Sequence, residues 1–146
     1  MGKFVNVKLE KIYCSEVDGD PGSNLEIRGI LGARSQVIDG PVREEETLWH
    51  KPDNEGQNVG EGGAIIINTE VELRIRDGER LLVGGHIKED DEVLNPDDDH
   101  GDRWRPIYLH DIDFTPKFFN VQFTEINGQN PPQEVWADFW VNQINP

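Results

Sequence analysis

The chain has 146 residues, 35% hydrophobic and 8% aromatic, enough for one core of ordinary domain size and evidence against wholesale disorder. Its 29 acidic and 14 basic residues leave a formal charge of -15. Such a surface repels nucleic acid, which needs clustered Lys and Arg, and repels anionic membranes unless cations intervene. A single cysteine, Cys14, excludes an internal disulfide framework and a Cys-built zinc site, and its place after Ile12 and Tyr13 suits a buried thiol.

No run approaches the roughly 18 apolar residues that span a bilayer. The first residues, Met1 to Val7, lack the apolar region of a secretory signal, and Asn6 stands where a myristoylation motif wants Ser or Thr. The expectation is one domain over 1–146, cytoplasmic as synthesised, with export by another route left open.

In chain order, Val5, Val7 and Leu9 alternate with Asn6, Lys8 and Glu10, a period of two that predicts a half-buried strand over 4–12. Turn formers at nearly every position of Asp18-Gly19-Asp20-Pro21-Gly22-Ser23 then break it, and Leu25 to Arg28 resumes a strand. Between 34 and 63 the pattern supports only a short strand around Thr47-Leu48-Trp49, then a Gly/Asn/Glu loop from Pro52 to Gly63. Strand character returns from Ala64 to Arg76, and Asp77-Gly78 is a hairpin signal leading into Leu81 to Ile87. An acidic loop is expected from Glu89 to Asp102. Further strands are expected at Trp104 to Leu109, Phe118 to Phe123 and Val135 to Val141. No helical periodicity persists for three turns, so about eight short strands point to an all-β antiparallel β-sandwich or barrel.

The acidic loop carries the chemistry. Carboxylates packed into Glu89-Asp90-Asp91-Glu92 and Asp97-Asp98-Asp99 repel one another, and a hard divalent cation relieves that repulsion. Calcium takes six to eight oxygens in flexible geometry, which such a loop supplies. An exposed charged loop without a ligand is the other reading of this segment alone. Asp18 and Asp20, in the turn after the first strand, offer a second acidic group at a strand end.

These two segments resemble the calcium loops of C2 domains. Asp18-Gly19-Asp20-Pro21-Gly22-Ser23-Asn24 is similar to the first loop, which has an Asp, a Gly and then Ser-Asp-Pro-Tyr running into a strand. Ile87-Lys88-Glu89-Asp90-Asp91 resembles the start of the third loop, and Asp98-Asp99-His100-Gly101 its end. The resemblance implies a C2-like β-sandwich that binds calcium through Asp18, Asp20, Asn24, Glu89, Asp91, Asp97, Asp98 and Asp99. It departs from the family where Asn24 replaces an Asp, Leu25-Glu26 replaces Pro-Tyr, and Glu89 stands where Asp is usual.

The function this implies is a non-enzymatic module for calcium-dependent protein or membrane interaction. Val93 and Leu94, between acids at the loop tip, suit shallow membrane contact once calcium neutralises their surroundings. One alternative is a structural subunit of a filament or other assembly, in which the segment after Gly128 pairs with a neighbour's sheet edge. Another is a carbohydrate-binding sandwich. Trp136 and Trp140 share one face of the last strand and form an aromatic strip for sugars or a partner if that face is outward. The four histidines show no HExxH or other close ligand spacing, and neither acidic segment fits an EF-hand.

Overall fold

The computed structural model describes residues 2–16, 24–52, 57–60, 62–89, 98–124 and 134–145. These form β1 (Lys3–Glu16), β2 (Asn24–Val37), β3 (Val42–Lys51), β4 (Gln57–Gly60), β5 (Ala64–Ile75), β6 (Glu79–Glu89), β7 (Asp98–Ile107), β8 (Lys117–Thr124) and β9 (Glu134–Asn145). One short 3-10 turn, Leu109–Asp111, lies between β7 and β8. The strands make two antiparallel sheets, ordered β5-β1-β9-β8 and β3-β2-β6-β7, with β4 pairing against the start of β2.

The period of two places the core. Val5, Val7 and Leu9 of β1 and Val135, Ala137, Phe139 and Val141 of β9 are all buried and face Ile27, Leu31, Val83 and Ile87 in one apolar cluster. Each fully buried aliphatic or Phe side chain contributes about 1.5–3 kcal/mol, so this shared layer holds the sheets together. The alternation in β1 does not run straight through. A register shift between Leu9 and Lys11, seen against both β5 and β9, brings Ile12 and Cys14 back to the core. It leaves Lys11 and Tyr13 outside, as a β-bulge does by inserting one residue.

The described residues hold nine strands, in keeping with the eight or so expected, and several local expectations are corrected. Gln57–Gly60, in the expected loop, is a strand that pairs with β2. The short strand at 47–49 is the end of a ten-residue β3, whose charged half pairs with β2 and so needs no apolar alternation of its own. The acidic loop is shorter than read, since β6 runs to Glu89 and β7 starts at Asp98. Finally, β9 lies between β1 and β8 and hydrogen-bonds to both, so it has no open edge for a neighbouring molecule.

One close approach shapes the second sheet. Gly85 in β6 lies opposite Leu31 of β2 with φ 145°, and an added Cβ would collide with the Ile30 carbonyl oxygen. Only glycine takes this backbone without strain.

Candidate functional site

Register gathers the acidic segments at one end. Glu16 closes β1 opposite Glu134, and Ile27, near the start of β2, lies opposite Glu89 at the end of β6. The β4–β5 turn links the two sheets there, and beyond the β1–β5 ladder Gly62 N–H donates to Cys14 O at 2.8 Å and Cys14 N–H to Gly63 O at 3.0 Å. Gly63 N–H in turn donates to Gly60 O, and Gly60 is the partner of Asn24 in β2. The β1–β2 and β6–β7 connections therefore leave from the same end of the sandwich.

Of the residues expected to bind calcium, the backbone places Asn24 at the first position of β2 and Glu89 at the last of β6. Asp98 and Asp99 open β7 opposite Glu89 and Lys88. Asp18, Asp20, Asp91 and Asp97, with the tip residues Val93 and Leu94, lie outside the described residues. Among the described residues no group of three or more His, Cys, Asp or Glu is placed to hold a metal ion.

Beside this end, the outer face of the β3-β2-β6 sheet carries a cluster that sequence reading missed. Arg28 pairs with Lys88 across β2 and β6, and Ile30 lies between His50 of β3 and His86 of β6. With Lys51 and Pro52 they line a cavity of about 310 Å³ whose described lining contains no acidic residue. Ile30 is exposed in the middle of this basic ring. The residues come from three strands some 20 to 60 positions apart, so no local charge run announces them. Their signal is subtle: Arg28, His86 and Lys88 fall on the outward side of strands whose neighbours Ile27 and Ile87 are buried.

Farther along the same face, the Arg34 guanidinium stacks 3.9 Å from the Trp104 ring centre and pairs with Glu45 at 2.8 Å. The Trp104 indole N–H donates to Asp102 Oδ1 at 2.9 Å. This stretch is closed on itself by paired groups.

The outer face of the other sheet bears the aromatic residues. Trp136 and Trp140 face outward from β9, half-buried, and neither is covered by the second sheet. Tyr13 lies opposite Trp136, and the Phe118 ring leans on Trp140 at 5.3 Å between centres. Between the two tryptophans stands Asp138, only 8% exposed. Burial, the largest cause, raises its pKa from 3.8, Lys11 opposes that shift and Glu10 adds to it.

A two-sheet antiparallel sandwich whose first and third acidic connections leave from one end has the architecture of the C2-like class. Solved structures agree. The chain matches a C2 domain of plant Extended Synaptotagmin 1 with a TM-score of 0.54 at 11% identity, over 99% of this chain and 95% of that one. It also matches CC2D1B, described as coordinating ESRCT-III activity during mitotic reformation of the nuclear envelope. There the TM-score is 0.51 at 7% identity, over 99% of this chain and 56% of that one. The fold is thus C2-like. No protein-family model and no curated protein sequence matches the chain.

Proposed function

We propose that this chain is a non-enzymatic C2-like module that docks on an anionic lipid surface through the basic cavity, with calcium bound at the neighbouring acidic end. The observation that carries this reading is the ring of Arg28, Lys51 and Lys88 around exposed Ile30, in a molecule of net charge -15. Positive charge concentrated against so acidic a background supports a contact with anions, and the apolar centre suits the boundary between headgroups and acyl chains.

Calcium resolves the electrostatic conflict. The basic cavity adjoins strand ends leading into Asp18, Asp20, Asp91 and Asp97, which oppose approach to an anionic membrane. Asn24, Glu89, Asp98 and Asp99 would join those four as the oxygen donors. Calcium bound there supplies positive charge and turns the end from repelling to attracting. Val93 and Leu94 then add shallow apolar contact.

Co-sedimentation with vesicles tests the reading. Binding is expected to vesicles of phosphatidylcholine with phosphatidylserine in calcium, weakened by chelator and by added salt, and absent with phosphatidylcholine alone. Equal binding to both vesicle types in calcium, or none to either, sinks the membrane reading. Capture of an acidic protein in place of vesicles would transfer the basic cavity to a protein partner.

A further inference from the structure

We infer that the outer face of the β1-β9-β8 sheet is a carbohydrate site, in which Tyr13 and Trp136 stack against a neutral sugar ring while Asp138, Lys11 and Asn120 take its hydroxyls. The site is independent of the basic cavity, which lies on the other sheet.

The register builds it in rows. Tyr13, Trp136 and Gln122 lie side by side across β1, β9 and β8, and Lys11, Asp138 and Asn120 form the next row. Lys8, Trp140 and Phe118 form the third. Rows are spaced about 6.7 Å apart along the strands and neighbours within a row about 4.8 Å. An aromatic row thus flanks a polar row on each side. Lys11, Tyr13, Phe118, Asn120, Trp136 and Asp138 line a cavity of about 340 Å³. That falls at the lower end of small-ligand pockets, which run from about 300 to 1,000 Å³.

Two features mark it as built for a ligand. First, the indoles are held in place from behind. Trp136 Nε1 donates to Ser15 Oγ at 3.1 Å and to Glu134 Oε1 at 3.0 Å, and Trp140 Nε1 donates to Glu10 Oε1 at 2.9 Å. Their N–H groups are already used, so what they offer a ligand is ring surface in a fixed orientation. Second, Asp138, only 8% exposed, lines the cavity with Lys11 beside it. A carboxylate held at a largely buried position that still opens into a cavity offers acceptor oxygens which a ligand's hydroxyls can take up.

The lining selects the ligand class. A purely apolar ligand would leave the Asp138 carboxylate unpaired. A cation, which aromatic faces also attract, would meet Lys11, and an anion would meet Asp138 and Glu10. The Lys11 and Asp138 charges cancel, leaving donors and acceptors between two aromatic rows. A neutral sugar matches this, with apolar ring faces and hydroxyls around its edge. Beyond the Phe118–Trp140 contact a second cavity of about 360 Å³, lined by Asn6, Lys8, Glu70 and Asn142 among others, extends the groove for a further ring.

The test is tryptophan-fluorescence titration and calorimetry with cellohexaose, mannohexaose, xylohexaose and chitohexaose, and with choline chloride as the cationic comparison. At least one hexasaccharide is expected to bind saturably. Trp136→Ala and Asp138→Ala should each weaken it by on the order of tenfold or more. Asp138→Asn, which keeps the shape and one acceptor oxygen, should weaken it less, and Lys88→Gln in the basic cavity should leave it unchanged. Far-ultraviolet circular dichroism and melting establish that each variant is folded. The inference is overturned if no hexasaccharide binds more tightly than about 10 mM. Sugar binding that survives both alanine substitutions, or choline binding where no sugar binds, overturns it as well.

Discussion

Replacing Gly85 with alanine tests one of the close β2–β6 contacts beneath the basic cavity. Gly85 holds φ 145°, and its added Cβ would sit against the Ile30 carbonyl oxygen and Leu31 Cα, backbone atoms that cannot swing aside. The strained backbone costs about 1–3 kcal/mol. Forcing β2 away from β6 costs a further 1–3 kcal/mol or so, as overpacking does. Together these give a loss of about 2–6 kcal/mol, against about 5–15 kcal/mol of total stability for a domain of ordinary kind. Gly78 provides the control. It has φ 81° in the β5–β6 turn, but its Cβ would meet nothing within 4 Å, so Gly78→Ala carries backbone strain alone, about 1 kcal/mol. Urea unfolding followed by tryptophan fluorescence should place the Gly85→Ala midpoint well below that of Gly78→Ala at equal slope. If the two variants lose the same amount, the steric account of the β2–β6 contact is wrong.

Phe139→Ala, which empties a fully buried site between the sheets, should cost about 3–5 kcal/mol in the same assay. Lys51→Gln with Lys88→Gln should weaken binding to phosphatidylserine-containing vesicles about thirtyfold, at about 1 kcal/mol per basic residue. Lys117→Gln, at the far end beside Asp113, should change nothing. Melting in calcium should exceed melting in chelator by several degrees, and an Asp91→Asn, Asp98→Asn variant should lose that difference; an unchanged wild-type melt refutes calcium binding. Asp138 has a folded pKa raised by burial, so the folded state holds its proton above pH 3.8 where the unfolded chain has released it. Its contribution to stability is therefore fullest below 3.8 and falls as pH rises through the folded value. Asp138→Asn should be more stable than wild type near pH 7, with the gain shrinking toward pH 3.8. The difference between the two proteins cancels the opposite trend from Asp113, whose pKa is lowered mainly by its Lys117 hydrogen bond. A pH-independent difference removes the desolvation argument.

Much of the architecture was legible because a sheet with one buried face writes its period into the chain. Val135, Ala137, Phe139 and Val141 are buried as their alternation predicts, and the outward partners Trp136 and Trp140 are where that pattern puts them. The Asp77-Gly78 turn is found where its dipeptide predicts, with Glu79 N–H donating to Arg76 O at 2.9 Å. Less visible was β3, whose Arg43-Glu44-Glu45-Glu46 half carries charge on a sheet edge, and β4, too short to show a period. The bulge at Glu10 was invisible too, because residues on either side of it alternate normally and only the shift between them matters.

The sequence by itself determined that the fold is all-β and that acidic segments sit at strand ends, since both follow from residues adjacent in the chain; that the strands form two packed sheets was decided by their pairing. Local spacing also put Asp138 between two tryptophans on one face of β9. Only tertiary structure decided that Arg28, Lys51 and Lys88 share one cavity, and that Tyr13, Lys11 and Asn120 complete the surroundings of Asp138. Those groups meet through strand order and register, which depend on hydrogen bonds between segments far apart in the chain and leave no periodic mark in any one of them.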